Sequence, residues 1–268
     1  MTEELPQVSR VEPGEVTPAL VTALYTGAVV SPVAAGVVAL TGSGAVTSFQ
    51  GLLTNDVDLP GDGSFVYGAL LTPKGMIVVD GWAARLGTTV SYTVPGDARG
   101  RERALAILTR SVPAGAVAAG PATLELSRIL AGWPRLGAEV DDRTIPQEAR
   151  LDQIGGVSYT KGCYTGQETV ARLHFRGHVN RQVRGLLFDP EPPAAPADGW
   201  SVVTYVDRDV GRVTSLAFVP ETGVAGAGRW IGLALIRREV APGSVVRAAG
   251  RDARVVDLPF AFPIAAPA

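Results

Sequence analysis

The stretch "YTKGCYTGQE", residues 159 to 168, holds the only cysteine of the chain. Cys163 stands between Gly162 and Gly166, with Lys161 two residues before it. A structural cysteine is usually packed among apolar side chains, and this one is set in a polar, glycine-flanked turn. The residues that follow, "TGQETVAR", read as the start of a helix. A thiol near a helix N-terminus and basic groups ionises more readily, because both stabilise the thiolate. Gly155, Gly156 and Gly162 would let the backbone approach a ligand closely. The stretch is therefore either a turn that happens to contain cysteine or a working site.

Other chemistry is less well supported. Cys163, His174 and His178 are the only soft ligands, and "HFRGH" has H-x3-H spacing. Zinc sites draw on three or four such ligands with supporting carboxylates, and Gly177 interrupts a shared helical face, so no metal site is expected. From Lys161 to Arg184 there are five Lys or Arg residues and one Glu. That run could face a carboxylate-bearing ligand or could be ordinary solvated surface. Aromatic residues are sparse in it beyond Phe175, so direct nucleic-acid binding is not expected. "GSGAVT" and "GAGRWIG" lack the residues of a phosphate loop, and no nucleophile elbow accompanies the histidines.

The elements that must position these residues follow from composition and pattern. The chain has 268 residues, 46% of them hydrophobic and 19% charged, with a net charge of −2. It has room for two or three lobes. Its 32 Gly and 20 Pro favour many short elements over long helices. A lone cysteine forms no internal disulfide, which fits a reducing cytoplasm. The acidic start "MTEELPQVSR" is a poor secretory signal. Residues 16 to 55 carry no charge, but their prolines, glycines and threonines argue against a membrane span.

"GVVAL" reads as a strand and "AVTSFQGLL" as a short helix. "SFVYGALL", "MIVVDGWAAR" and "TVSYTV" read as strands at hairpin spacing, with "TPKG" as a turn. Asp97 looks like the N-cap of a helix over "ARGRERALAILTRS", "ATLELSRILAG" reads as another strand, and a helical turn is expected from Gln147 to Leu151. The linker-like "FDPEPPAAPADGW", residues 188 to 200, precedes "WSVVTYV", "GRVTSLAFV", "WIGLALIR" and "SVVRAAG". Those runs have the spacing of a small β-barrel or sandwich. The fold class is α+β.

The octet "KGCYTGQE" resembles the signature of the YgfZ family of folate-binding proteins, part of the glycine-cleavage T-protein superfamily. "IPQEARLDQIGGVSYTKGCYTGQETVARLHFRG", residues 145 to 177, is similar to the family's central block nearly throughout. "FQGLLTNDV", "LLTPKGMIVVDG" and "SRILAGWP" resemble its upstream segments, and "GRVTS" and "IGLALIRR" its C-terminal barrel. The resemblance covers about residues 37 to 240.

It implies a T-protein-like three-lobe ring. Residues 1–184 would form two interleaved α+β lobes around a central folate cavity, and 185–268 a C-terminal β-barrel. The family is implicated in assembling or repairing iron–sulfur clusters and, through them, in tRNA thio-modification. Tetrahydrofolate or a one-carbon derivative is the implied ligand. Iron–sulfur client enzymes or cluster carriers are the implied transient partners, in the cytoplasm and without a membrane. Carried over by motif, Cys163 and Lys161 are the catalytic candidates. Asn55, Asp80, Tyr164, Gly166, Gln167, Glu168 and Arg172 are the folate-binding candidates.

Two departures bear on function. The T-protein, an aminomethyltransferase, has two adjacent acids where this chain has "VVDG", leaving only Asp80. It also has a glutamate where Leu130 stands, and an apolar side chain accepts no hydrogen bond from a pterin. Iron–sulfur support dependent on Cys163 is the leading expectation, tetrahydrofolate-dependent aminomethyl transfer the second, and an interaction module without ligand the third.

Overall fold

The computed structural model describes residues 8–26, 29–30, 35–95, 117–188, 192–194, 201–221 and 227–261. The strands are β1 (Ser9–Val11), β2 (Val29–Val30), β3 (Ala35–Thr41), β4 (Phe65–Leu71), β5 (Ile77–Leu86), β6 (Thr89–Pro95), β7 (Val117–Ala118), β8 (Arg181–Phe188), β9 (Ser201–Tyr205), β10 (Arg208–Pro220), β11 (Gly228–Arg237), β12 (Val245–Ala248) and β13 (Arg251–Val256). The helices are α1 (Pro18–Thr26), α2 (Ala45–Gln50), α3 (Pro121–Ala131) and α4 (Gln167–Arg176). The helix expected after Asp97 and most of the linker before Trp200 lie outside the described residues.

The chain divides into two compact units. One gathers the described residues within Met1–Pro32, Glu102–Glu139 and Arg181–Ala268, the other those within Val33–Arg101 and Val140–Asn180.

In the first unit, β9-β10-β11-β8-β13-β12 run in that order and β12 pairs back to β9, closing a six-stranded barrel. The barrel expected from the spacing of the C-terminal runs is therefore present. β1 adds to β10 in parallel. The unbroken apolar run of β11 has a physical cause, because both of its faces are covered. Trp230, Ala234 and Ile236 point into the barrel core with Leu186, Val213 and Leu216. Ile231, Leu233 and Leu235 point outward and pack with Leu126, Ile129 and Leu130 of α3 and Val21 of α1.

The segment "ATLELSRILAG", expected as a strand, is instead the helix α3. Leu124-Glu125-Leu126-Ser127 alternates locally, which favours a strand reading. Burial, however, falls on Thr123, Leu126, Ile129 and Leu130, one helical face. Pro121 starts the helix and Gly132, left-handed at φ 63, ends it. Those two residues were the better signal.

A polar network ties α3 to the barrel. Arg128 donates to Glu125 at 2.7 Å, to the fully buried Glu139 at 2.8 Å and to Ser215 Oγ at 2.6 Å. Ser215 in turn donates to Glu139 at 2.6 Å, and Ser9 donates to Glu125. Burial works against the Glu125 charge, but Arg128, Ser9 and Arg135 hold its carboxyl below the usual range.

In the second unit, β3-β6-β5-β4 form an antiparallel sheet. One face packs Ala83, Val90 and Tyr92 against Phe49 and Leu53 on and beyond α2. Gly81 on β5 is required by close approach, since a Cβ there would lie 2.3 Å from the Thr93 carbonyl oxygen. No helix among the described residues is long and apolar enough to cross a membrane.

Two predictions follow from the Arg128 network. Arg128→Met leaves the buried Glu139 without its cation and Glu125 with Arg135 alone, and should lower the unfolding free energy by about 3–5 kcal/mol, read from urea melts. Glu125 has a depressed folded pKa, so its contribution is full above its unfolded pKa of about 4.3 and is lost as pH falls through the folded value. Glu125→Gln should flatten that part of the acid stability profile, and an unchanged profile would count against the network.

Candidate functional site

The octet is held by its lysine. Lys161 is 8% exposed, and its ammonium donates to the carbonyl oxygens of Gln50 at 2.6 Å, Leu53 at 2.7 Å and Asn55 at 2.8 Å. An ammonium has three donors, and all three are used. These carbonyls lie at and just past the end of α2, where the backbone presents unpaired oxygens. Burial pushes Lys161 down to about 8, opposed by the nearby Asp56. Asp56 itself is held below the usual carboxylate range despite burial, by the Leu59 and Asp58 N–H groups, the Gln50 amide and Lys161.

Backbone bonds continue the stitching. Thr165 N–H donates to Gly51 at 3.0 Å and Ser158 N–H to Thr54 at 2.9 Å. Tyr164 is buried beside the clamp, its ring 5.2 Å from the Lys161 nitrogen. Burial, and secondarily Tyr159, raises its phenol well above the usual value. Gly166 is left-handed at φ 80, and a Cβ on it would lie 2.6 Å from the Thr72 carbonyl oxygen and 3.0 Å from Gly75 Cα. Gly75, at φ +84, leaves no room either, with Thr169 Cβ 2.9 Å away from a side chain placed there. The "TPKG" hairpin turn and the "YTGQ" turn thus touch through two glycines.

Gln167 opens α4 and is half-buried, while Glu168 and Arg172 lie exposed on that helix. Cys163 is exposed, the free thiol of the chain. It sits on the stretch between Lys161 and Tyr164, both buried, so its backbone is anchored on either side while its sulfur faces water.

Asn55 and Asp80 connect to this assembly by hydrogen bonds. Lys161 donates to the Asn55 carbonyl, and Asn55 Nδ2 donates at 2.8 Å both to the Tyr67 carbonyl and to Gly155. The Tyr67 hydroxyl donates to Asp80 Oδ2 at 2.7 Å, and Asp80 is 4% exposed. The octet and the β5 carboxylate are therefore linked through Asn55 and Tyr67.

Arg172 is not brought into that set. The basic run dissolves in three dimensions: Lys161 is spent on carbonyls, and Arg184 pairs with Asp257 at 2.6 Å in the barrel unit. Leu130 is likewise in the first unit, where it lines an apolar pocket of about 300 Å³ with Leu24, Tyr25, Ser127 and Phe260. No cluster of three metal-ligating side chains occurs among the described residues. His174 stacks on Tyr159 at 3.6 Å.

Sequence reasoning overlooked Thr54 and Gln147. Thr54 is fully buried, donating to the Gly156 carbonyl at 2.6 Å and accepting from Ala69 N–H at 2.9 Å. Gln147 donates at 2.7 Å to the Val170 carbonyl of α4. Both lie within the quoted family segments, and that was the available signal.

Lys161→Met should free the turn. The three carbonyls lose their donor, and the second unit should lose about 3 kcal/mol or more, with faster amide hydrogen exchange at residues 162–166. Lys161→Arg should not restore protection, because a planar guanidinium does not converge on three carbonyls as an ammonium does. Full protection in Lys161→Met would show that the clamp is dispensable.

No family model matches the chain. Among curated proteins it is 37% identical over 111 residues to the tRNA-modifying protein YgfZ of Vibrio vulnificus (strain YJ016), which is 36% of this chain and 34% of that one. It is 52% identical over 54 residues to the YgfZ of Hamiltonella defensa, 20% of this chain and 16% of that one. The matches thus span about a third or less of the length of those relatives. Among solved structures, the glycine cleavage system aminomethyltransferase T from Bartonella henselae shares the fold, with a TM-score of 0.68 and 16% identity over 90% of this chain and 89% of that one. Over about a third of its length the chain is thus similar to YgfZ proteins, and its fold is that of the glycine cleavage system aminomethyltransferase T.

Proposed function

We propose that this protein binds a reduced folate and supports the assembly or repair of iron–sulfur clusters in client enzymes of the cytoplasm, through Cys163. The observation that carries the proposal is the exposed thiol on a turn whose neighbours are pinned by Lys161 and Tyr164. A structural thiol would be buried; this one is presented. The related YgfZ proteins are named for tRNA modification, and tRNA thiolation depends on iron–sulfur enzymes in the family that the octet resembles. The finer architecture belongs to the same proposal, with residues 1–184 as two interleaved lobes around a folate cavity and 185–268 as a barrel domain.

The residues present fit a folate. A pterin needs convergent polar groups on an otherwise apolar wall, and Asp80 supplies a buried carboxylate oriented by Tyr67. Asn55 holds that wall to the octet. Tyr164, Gly166 and Gln167 shape the turn, and Glu168 and Arg172 flank it on the exposed side of α4. A bound tetrahydrofolate supplies one-carbon or redox chemistry, while the chain's own groups bind and orient it. Lys161, with its three donors engaged, acts by holding Cys163 in place. The thiol can meet its partner as a nucleophile, as a thiolate contact for a cluster in transit, or as a redox partner.

Aminomethyl transfer is the second reading, favoured by the fold shared with an aminomethyltransferase. Asp80 stands there without a second acid, and Leu130 packs in an apolar cluster. Ammonia release from a carrier-bound aminomethyl group in the presence of tetrahydrofolate, undiminished in Cys163→Ala, would favour it.

The deciding experiment is the activity of an iron–sulfur enzyme in cells lacking this protein, rescued by wild type or by Cys163→Ala at equal soluble levels. Wild type should restore activity and Cys163→Ala should not. Equal rescue by both would remove the thiol from the mechanism.

A further inference from the structure

The sheet of the second unit buries one face against α2 and leaves the other with an uncommon surface. On this second face the β4–β5 register sets Tyr67 opposite Trp82, Phe65 opposite Ala84 and Ala69 opposite Asp80. Side chains two apart on a strand share a face, so Phe65, Tyr67, Trp82 and Asp80 stand on one side. Phe65 is 61% exposed and Trp82 37% exposed, yet their rings stack at 4.8 Å with an interplanar angle of 6°. Trp82 contacts the Tyr67 ring at 5.4 Å, and Tyr67 donates to Asp80 at 2.7 Å. The result is a graded strip: exposed aromatic carbon at one end, a buried carboxylate at the other. Two large stacked rings left partly in water carry a hydrophobic cost that a ligand would relieve.

We infer that the Phe65–Trp82 pair is the binding surface for the aminobenzoyl ring of a pteroyl ligand whose pterin ring lies toward Asp80. This rests on the folate reading above and adds residues and an orientation to it. The chemistry of the two ends sets the direction. A pterin edge carries N–H donors and matches the Asp80 carboxylate. The aminobenzoyl ring is apolar on both faces and matches aromatic side chains, which favour offset-stacked or edge-to-face contact. Trp82 follows Asp80 by two residues on an extended strand, a displacement of about 6.6 Å. That is the scale of two rings joined by a short methylene–amine bridge. The strip lies on the face opposite the α2 core.

The test is calorimetric titration of the full chain with 5-formyltetrahydrofolate and, separately, with a reduced pterin that lacks the aminobenzoyl group. Trp82→Ala should weaken the folate by about tenfold, equivalent to about 1.4 kcal/mol, and Phe65→Ala by several-fold. Affinity for the truncated pterin should stay within about twofold of wild type in both variants. Matching urea midpoints would establish that the variants are folded, and Trp82→Leu serves in place of a variant that is not. Folate affinity unchanged in Trp82→Ala and Phe65→Ala would overturn the assignment while leaving folate binding intact. Equal losses for folate and truncated pterin would also overturn it, because the pair would then act on the pterin or through the fold. Absence of wild-type binding to any folate at near-millimolar concentration would instead defeat the folate reading itself, and this assignment with it.

Discussion

The Lys161 ammonium in its cage of three carbonyls is the interaction on which the candidate site depends. An isolated buried ammonium costs far more than its side chain gains by packing, and burial accordingly pushes Lys161 down to about 8. The cost is met because each N–H finds an oxygen, on Gln50, Leu53 and Asn55, between 2.6 and 2.8 Å away. Those oxygens belong to the last residue of α2 and to the stretch between it and β4. Beyond the single Leu53–Leu70 bridge such a segment has no ladder to satisfy it. One side chain from more than a hundred residues later does so, and in return its own turn is fixed. The same bond reaches Asn55, whose amide holds the Tyr67 backbone, and Tyr67 holds Asp80. Thiol turn, hairpin and buried carboxylate are one hydrogen-bonded object.

Much of this was legible in the sequence, and the failures share a cause. The hairpin strands, α2 and the start of α4 follow from local pattern and turn residues. The barrel follows from the spacing of its strands. What misled was reading in one dimension. Lys161 counted both as a catalytic candidate and as one more cation in a basic run, whereas the fold sinks it beneath the surface and ties Arg184 of the same run to Asp257. In α3, alternation across four residues outweighed a proline at the start and a glycine at the end. A helix lying on a barrel wall buries one face of about four residues, too few to dominate a short window. Thr54 went unnoticed because its value lies in two backbone partners that only the fold brings near.

The barrel unit solves a different problem from the thiol unit. Strand β11 is apolar on both sides because the barrel fills one face and helices cover the other. A wall covered on both sides has few places for charge, and the Arg128–Glu139–Ser215 network is the exception. Its members satisfy one another through donors on both α3 and β10. Buried ion pairs add little to net stability compared with apolar packing. They do set orientation, and here the network fixes how a smooth helix face sits on a smooth sheet.

A reactive thiol must be reachable yet held in a defined place, and glycine-rich turns usually give only the first. In this chain the two requirements are divided among neighbours. Gly162 has open space around the position its Cβ would fill, so the approach to Cys163 is unhindered on that side. Gly166 serves the opposite purpose, packing so tightly on Thr72 and Gly75 that no side chain fits. Lys161 and Tyr164 are buried on either side of the sulfur-bearing residue. The entropy of ordering the turn is thus met by the fold before any partner arrives, which is the condition under which a short contact with a transient partner can be selective. Under the proposed function Lys161 and Tyr164, on either side of Cys163, need touch no substrate to matter; they hold the turn that carries the sulfur.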